Sequence, residues 1–261
     1  MNILDKINEN KRREIAEAKE KVTIDQLKES PYFNRTTNSL KAALQAEGAS
    51  GIIAEYKTQS PSKGVINEEA EASEVTAGYV AAGASGLSVL TDEAYFGGSF
   101  EDLAKTRWAN PKTPILRKDF MLDPYQIYEA KAHGADVILL IAESLSKQLL
   151  LELTQTAKDI GLEVLVEIHS AEELDKLNPL VDIIGVNNRN LKTFDVDINT
   201  SIHLSELIPA SFLKISESGI STPESIAQLR ASGFNGFLIG ETFMKTGDPG
   251  KACAEFIAKL K

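Results

Sequence analysis

Charged side chains end a short apolar segment near the start of the chain, where a buried strand would carry another Val or Ile. Within residues 51–64, apolar Ile53 is followed by Glu55 and Lys57, and then by the turn-rich run 60–64. Residues two apart on a strand share a face, so these three side chains are predicted to point together. A structural ion pair at a barrel mouth would explain the two charges as well as chemistry does. This segment alone therefore leaves both interpretations open.

Five later apolar segments end in the same polar way. They end in Arg117-Lys118-Asp119, Glu167-Ile168-His169, Asn187-Asn188-Arg189, Glu217-Ser218-Gly219 and Gly240-Glu241-Thr242. One such pair can be a salt bridge, but several charged ends converging on one rim are electrostatically costly without a ligand. A lysine can donate a proton to a carbonyl oxygen and a glutamate can accept one. We expect Lys118, set among other cations, to have a lowered pKa.

The last two of these segment ends predict a phosphate site. Ser218-Gly219 and Gly240-Glu241 each expose backbone N–H groups near a glycine, ahead of a helix. Free N–H groups and helix N-terminal dipoles favour an anion, and loops seven and eight of α/β barrels often bind phosphate. The alternative is that both glycines only serve tight turns. An anionic ligand also needs local positive charge on this acidic chain, which Lys57, Lys63, Lys118 and Arg189 could supply.

The fold that would bring these ends together is indicated by apolar segments alternating with helices. The eight strand candidates are 51–56, 86–90, 114–117, 137–141, 163–168, 183–186, 213–216 and 236–239. Helices of 10–18 residues between strands are typical of parallel βαβ units with right-handed crossovers. Eight units predict an α/β fold, a closed (β/α)8 barrel with its active site at the C-terminal strand ends. A doubly wound sheet is the alternative, although no glycine fingerprint opens the first helix.

The N-terminal residues 1–48 contain no strand candidate. Helical patterns cover residues 3–21 and 39–46. We therefore expect a helical extension that packs on one barrel domain spanning residues 1–261. An α/β barrel of roughly 250 residues is usually a single domain.

Composition excludes several classes of protein. The 261 residues are 43% hydrophobic and 25% charged, and the net charge of −10 argues against a nucleic-acid surface. No signal peptide or membrane-length apolar run is seen, so a cytoplasmic protein is expected, with no membrane and no obligate protein partner. The single cysteine, Cys253, excludes internal disulfides and is expected to pack in the core. The three histidines show no metal-site spacing.

Seven segments, in order, resemble one enzyme family over essentially the whole chain. They are EYKTQSPSKG at 55–64, LTD…YFGGS at 90–99, LRKDF at 116–120, LVEIH at 165–169, GVNNRNL at 185–191, SESGI at 216–220 and IGETFM at 239–244. Together they closely resemble the indole-3-glycerol-phosphate synthases of tryptophan biosynthesis. The resemblance implies a carbon–carbon lyase that closes the ring of 1-(2-carboxyphenylamino)-1-deoxyribulose 5-phosphate with loss of CO2 and water. It implies no cofactor.

The resemblance also implies roles for individual residues. Lys118 resembles the general acid that polarises the ketone, and Glu167 the acid/base of the dehydration. Residues implied to position substrate and relay protons are Glu55, Asn187, Glu217 and Ser218, with Lys57 as a second proton-transfer candidate. Residues implied to bind the substrate carboxylate, phosphate and aromatic ring are Arg189, Ser60, Gly219, Gly240, the Glu241 backbone, Phe96 and Phe120. Tyr56, on the opposite face of its strand, is left to packing.

Two alternatives remain at this point. A phosphoribosyl-anthranilate isomerase would use a cysteine near the end of the first strand, whereas Cys253 lies in the last helix. A non-catalytic barrel that binds sugar phosphates would need the phosphate loops but neither Lys118 nor Glu167. The Pro-, Ser- and Gly-containing loop 58–66 is expected to order when substrate binds.

Overall fold

Eight parallel strands form a closed barrel at the centre of the chain, in a computed structural model that describes residues 3–191 and 193–260. The barrel strands are β1 (Ile52–Tyr56), β4 (Gly86–Leu90), β5 (Ile115–Lys118), β6 (Val137–Ile141), β7 (Glu163–Ile168), β8 (Ile183–Asn187), β9 (Leu213–Glu217) and β10 (Gly236–Ile239). Because β1 pairs with β10 on one side and with β4 on the other, the sheet has no edge. The barrel prediction is confirmed, and closure excludes the doubly wound sheet.

Helices surround the barrel and precede it. They are α1 (Ile3–Lys21), α2 (Ile24–Lys28), α3 (Leu40–Gln45), α4 (Ala72–Ala81), α5 (Glu93–Phe96), α6 (Phe100–Ala109), α7 (Pro124–Ala132), α8 (Lys147–Asp159), α9 (Asn199–Ser205), α10 (Pro223–Ala231), α11 (Glu241–Met244) and α12 (Pro249–Ala258). The connection from β7 to β8 is a short 3-10 helix, Ala171–Lys176, where a longer helix was expected. None of the described helices is long and apolar enough to cross a bilayer.

Alternation along each strand separates the barrel interior from the helix layer. On β1, Ile53 belongs to the interior cluster, whereas Ile52, Ala54 and Tyr56 pack with the helices. The expected packing role of Tyr56 is confirmed, and its hydroxyl also donates to the Ala70 carbonyl. Further interior residues are Leu116, Leu139, Leu165, Ile215 and Leu238. This apolar layer is the floor beneath the polar strand ends.

The N-terminal end of the barrel is closed by α3. Leu40 and Leu44 are buried in the interior cluster. A side chain at Gly86 would reach Leu40 Cδ1 at 2.5 Å, and one at Gly236 would lie 3.2 Å from Leu44. The two strands therefore begin with glycine where the leucines enter. α3 itself begins after a serine cap, since Ser39 accepts a hydrogen bond from the Ala42 N–H.

The first helix is joined to the other end of the barrel by a buried cation. Lys11 Nζ on α1 lies 2.9 Å from both Asp92 Oδ2 and Asp119 Oδ1. Asp119 also receives the Arg117 guanidinium at 2.9 Å. Burial by itself lowers the pKa of Lys11, but the Asp119 and Asp92 carboxylates outweigh it and raise the pKa. The paired charges fix α1 beside the segment that follows Lys118.

Strand ends and the first loop differ from the sequence-based boundaries. β5 is displaced by one residue relative to 114–117, and β8 and β9 each extend one residue further than expected. Lys118, Asn187 and Glu217 are therefore the last residues of strands. The loop 58–66 contains a two-stranded hairpin of β2 (Gln59–Ser60) and β3 (Gly64–Val65).

Candidate active site

Five inward-facing polar residues form a ring above the apolar floor of the barrel. They are Glu55, Lys118, Glu167, Asn187 and Glu217, each at or near the C-terminal end of its strand. All five line one cavity of about 610 Å³. Because parallel strands in a barrel end at the same rim, residues far apart in sequence meet there. The predicted convergence of the strand ends is confirmed.

Lys118 contacts two other members of this ring through its ammonium group. Its Nζ is 3.1 Å from Glu167 Oε2 and also bonds to Glu217 Oε2. Burial by itself lowers the pKa of Lys118, but the carboxylates of Glu217, Glu167 and Glu55 outweigh burial and raise the pKa above its ordinary value. The expected lowering of this pKa is wrong, because the groups nearest to Lys118 are anions. The side chain is an ammonium ion at neutral pH.

The two oxygens of Glu167 have different partners. Oε2 faces Lys118, whereas Oε1 accepts a hydrogen bond from Asn187 Nδ2 at 3.1 Å and lies 3.3 Å from His169 Nε2. Burial by itself raises the pKa of Glu167, but the Lys118 and His169 charges and the hydrogen bond from Asn187 hold this pKa well below its usual range. Glu167 is therefore a carboxylate and able to accept a proton.

Glu217 has the opposite electrostatic character. Burial is the largest cause that raises the pKa of Glu217, which reaches about 7. The Lys118 charge lowers this pKa, and the Glu167 carboxylate raises it. Oε1 of Glu217 is buried without a hydrogen-bond partner among the described residues. A Cβ at Gly185 on the neighbouring strand would clash with this oxygen, so a side chain there would displace the Glu217 carboxyl group. Glu217 is thus a carboxyl group that exchanges a proton near neutral pH.

Glu55 and Lys57 form an ion pair on the opposite side of the cavity. Lys57 Nζ lies 2.6 Å from Glu55 Oε1. A Cβ at Gly240 would lie 2.6 Å from the same oxygen and 3.1 Å from Glu55 Cβ. The ion-pair interpretation from the sequence is correct in geometry, although both residues also line the cavity. Gly240 makes room for Glu55 as well as for a turn.

The segment after β9 has the unusual backbone of the expected phosphate loop. Ser218 and Gly219 have φ of 68° and 75°, a left-handed conformation that costs free energy for serine. Asn188, itself buried, stabilises it by donating from Nδ2 to the Ser218 carbonyl and to Ser216 Oγ, both at 3.0 Å. A Cβ at Gly219 would clash with Val196. Asn188 was not predicted, since a buried amide that supports a backbone leaves no chemical pattern in the sequence.

The remaining predicted phosphate and carboxylate residues line the same cavity. Ser60, Gly219, Gly240 and Glu241 line it on one side, and Arg189 lines it from the loop after β8. All four cations suggested from the sequence line this cavity, namely Lys57, Lys63, Lys118 and Arg189. Lys63 lies 3.6 Å from Glu241 Oε1, and its side chain is 55% exposed.

An apolar wall faces the ring of charges. The rings of Phe96 and Phe120, both predicted, lie 6.1 Å apart at an angle of 37°. Apolar residues that the sequence interpretation missed complete the wall, namely Ile3, Leu4 and Ile7 from α1 and Leu191, Phe194 and Val196 from the loop after β8. The apolar stripe of α1 was the available signal for its part. The loop residues had none, since isolated apolar side chains in a loop are common.

His169 lies outside the main cavity, unlike its strand neighbour Glu167. It lines a second cavity of about 540 Å³, behind Asn187 and Arg189. Ligand-type atoms of Glu143, His169 and Glu173 come within 4.8 Å of one another there. Burial by itself lowers the pKa of His169, but the Glu167 and Glu173 carboxylates raise it to about 10. A protonated imidazole repels a cation, so this trio is an ion-pair cluster and we assign no metal site to it.

The fold and the site together define the class of protein. A closed (β/α)8 barrel with a lysine–glutamate cluster at the strand ends, facing two glycine-containing loops, is a barrel enzyme acting at one cavity. The family model of indole-3-glycerol phosphate synthase matches residues 4–256. The chain belongs to the indole-3-glycerol phosphate synthase family.

Relatives agree with this assignment over full length. The indole-3-glycerol phosphate synthase of Bacteroides thetaiotaomicron is 50% identical over 261 residues, covering 99% of each chain. That of Salinibacter ruber is 42% identical, covering 100% of this chain and 97% of its own. These full-length matches exclude the alternative that the chain is a phosphoribosyl-anthranilate isomerase.

Two solved structures share the fold at low sequence identity. The tryptophan synthase α subunit of Legionella pneumophila matches with a TM-score of 0.63 and 15% identity, covering 86% of this chain and 97% of its own. The 3-hexulose-6-phosphate synthase of Salmonella typhimurium has a TM-score of 0.63 and 12% identity, covering 81% of this chain and 100% of its own. At such identities the likeness concerns the fold alone.

Proposed function

We propose that the protein catalyses the reaction of its family in this cavity, with the residues described above. 1-(2-carboxyphenylamino)-1-deoxyribulose 5-phosphate closes its second ring with loss of CO2 and water, and indole-3-glycerol phosphate forms. The observation that carries the proposal is the position of Lys118 Nζ, in contact with both Glu167 and Glu217 inside one cavity. An acid and a base for two successive steps are thus held within reach of one ligand.

Lys118 is proposed to act first, as the proton donor to the ketone. An ammonium with a raised pKa gives up its proton only to a strong base, and the alkoxide that forms as the aromatic carbon attacks is one. Glu217, whose pKa of about 7 leaves it partly protonated, can return the proton to Lys118. The electron pair left by CO2 is taken up by the substrate ring system, so no residue is assigned to that step.

Glu167 is proposed to act second, as the base of the dehydration. It removes a proton from the carbon beside the nitrogen, and the ring hydroxyl leaves as water. Its lowered pKa and its hydrogen bond from Asn187 support a carboxylate in that role. Lys57, held by Glu55 at 2.6 Å, is the second candidate for protonating the departing hydroxyl.

Binding roles are proposed for the cavity walls. The phosphate would lie at Ser60, Gly219, Gly240 and the backbone of Glu241, with Ser218 beside it. Arg189 would face the substrate carboxylate, and the pair Phe96–Phe120 would contact the aromatic ring. The charge of the substrate supports this division, since its two anionic groups need the cations that line the cavity.

The broader setting is proposed on the same basis. A small phosphorylated metabolite as the only required ligand fits a cytoplasmic enzyme without an obligate protein partner. The helical extension 1–48 and the barrel are proposed to form one domain spanning residues 1–261. The buried contacts of Lys11 and Leu40 with the barrel support that unit.

The function is tested by following indole fluorescence from the purified chain and its deoxyribulose substrate, without added metal or cofactor. Lys118→Ala is expected to lower kcat by at least about 100-fold, a typical contribution of a general acid, while substrate still binds. Lys214→Ala is the matched control, because this strand lysine bonds to the carbonyl of Ser205 outside the cavity. Full activity of Lys118→Ala would remove its proposed role, and an inactive wild-type chain would refute the function.

A further inference from the structure

Behind the active-site cavity, a nearly buried histidine lies between two carboxylates. His169 Nε2 is 3.3 Å from Glu167 Oε1, and Nδ1 is 3.8 Å from Glu173 Oε2. The backbone N–H of His169 also donates to Glu173 Oε2 at 2.8 Å. Glu173 is thereby fixed to the end of β7 by a contact that does not involve the ring. The imidazole is 11% exposed, and neither ring nitrogen has a hydrogen-bond partner among the described residues.

The pair formed by Glu173 and His169 approaches Glu167 from the side opposite Lys118. Oε2 of Glu167 faces Lys118, and Oε1 faces His169 and Asn187. His169 lines only the second cavity, whereas Glu167 lines only the first. A ligand in the first cavity therefore contacts Glu167 without contacting His169. An effect of His169 on the reaction therefore acts through a neighbouring residue, and Glu167 is the cavity residue that its ring contacts.

The charges around His169 come from every element packed against it. Glu167 lies on its own strand, Glu173 on the 3-10 helix Ala171–Lys176, and Glu143 on the 3-10 helix Ala142–Ser144. Arg189, Asp195 and Asp197 line the second cavity from the loop after β8. These five carboxylates and one guanidinium leave negatively charged surroundings that favour an imidazolium. A cation at this position favours the ionised form of Glu167 and restrains its rotation.

We propose that His169, anchored by Glu173, is a positioning residue that keeps Glu167 ionised and oriented to abstract a proton. The inference rests on the proposed function, since it gives His169 a part in the work of Glu167. Lys118 cannot supply this restraint alone, because its ammonium group is shared with Glu217. In the proposed function this group also leaves Glu167 when it donates its proton to the substrate. His169 and Asn187 hold Glu167 Oε1 while Lys118 moves.

Kinetics of two variants test the proposal. His169→Gln keeps a donor but removes the charge, and Glu173→Gln keeps the backbone hydrogen bond but removes the anchor charge. We expect kcat to fall by roughly 10–100-fold in His169→Gln, less in Glu173→Gln, with KM nearly unchanged, as for the loss of a supporting group. The acid limb of the kcat profile should move to higher pH, because Glu167 would bind its proton more tightly. Unchanged kcat and an unmoved acid limb in His169→Gln would overturn the proposal.

Glu172→Gln is the matched control, because Glu172 is exposed on the same 3-10 helix as Glu173. It should behave as the wild type. An equal loss in Glu172→Gln and Glu173→Gln would also overturn the proposal, since it would indicate a general effect of charge on that helix.

A second measurement needs no turnover and separates this inference from the proposed function. With 15N-labelled histidine, the ring signals of the three histidines can be followed across pH. His169 should remain protonated well above neutral pH, and Glu173→Gln should lower its titration midpoint. A neutral His169 ring at pH 7 would overturn the inference even in an active enzyme. An inactive wild-type chain with a protonated His169 would instead refute the proposed function alone.

Discussion

Lys118 Nζ lies 3.1 Å from Glu167 Oε2, although β6 separates the two strands that carry these residues. This contact passes over the end of β6, whereas the contact of Lys118 with Glu217 on β9 crosses the barrel mouth. It is possible because both side chains point inward from strand ends above the apolar floor. An ammonium group and a carboxylate are therefore paired with each other. Under the proposed function, the substrate separates or replaces this pair, so that binding is coupled to the release of both groups.

Replacing the proposed base should split the reaction into its two halves. In Glu167→Gln, ring closure and CO2 release should proceed while dehydration stops, because only the second half needs the carboxylate. We expect about one equivalent of CO2 per site in a single turnover, with dehydration slowed by at least about 100-fold. Rapid quenching with labelled substrate carboxylate, compared with indole fluorescence, measures both. Equal slowing of CO2 release and fluorescence would assign Glu167 to the first half instead.

Adding one methyl group at Gly240 should disturb Glu55. The new Cβ would lie 2.6 Å from Glu55 Oε1, and the displaced carboxylate would move Lys57 with it. Activity of Gly240→Ala should fall by roughly 10–100-fold, as expected for an ångström-scale misplacement. Gly247→Ala is the control, since nothing lies within 4 Å of that Cβ. Comparable kcat/KM values for the two variants would show that the position tolerates a side chain.

The raised pKa of His169 predicts a pH-dependent stability. Folding raises the pKa from 6.5 to about 10, so the native state holds the proton more tightly than the unfolded chain. The contribution is full below the unfolded pKa and is lost as pH rises toward 10. Relative to His169→Gln, the wild-type free energy of unfolding should therefore fall over this range, by at most about 1.4 kcal/mol per pH unit. Urea unfolding at several pH values measures this difference, and parallel curves would contradict it.

Truncating the leucine that closes the barrel floor should destabilise the fold without changing the chemistry. Leu40 is fully buried between α3 and the strand starts, at the end opposite the cavity. Leu40→Ala should lower the free energy of unfolding by about 2–5 kcal/mol. Leu151→Ala, at a side chain that is 46% exposed, should cost far less. If Leu40→Ala unfolded like the wild type, α3 would not be part of the barrel's folding unit.

The hairpin after β1 should become protected when ligand binds. Lys63 lies between β2 and β3 at the cavity mouth, and trypsin can cleave after it. Indole-3-glycerol phosphate should slow this cleavage by closing the segment over the phosphate. Cleavage after Lys112, an exposed residue before β5, should not change. The same rate at Lys63 with and without product would argue against closure.

The sequence alone predicted eight parallel βαβ units and favoured a barrel, because strand runs and helix punctuation are local properties, but only the closed sheet excluded the doubly wound alternative. It also placed Glu55, Lys118, Glu167, Asn187 and Glu217 at strand ends, since polar residues interrupt apolar runs there. Only the tertiary structure decided which of these groups are neighbours. The pKa of Lys118 was predicted in the wrong direction because its anionic neighbours come from other strands, up to 99 residues away. The apolar wall from α1, the support of Ser218 by Asn188 and the separate cavity of His169 likewise depend on how distant segments pack, which spacing along one chain does not specify.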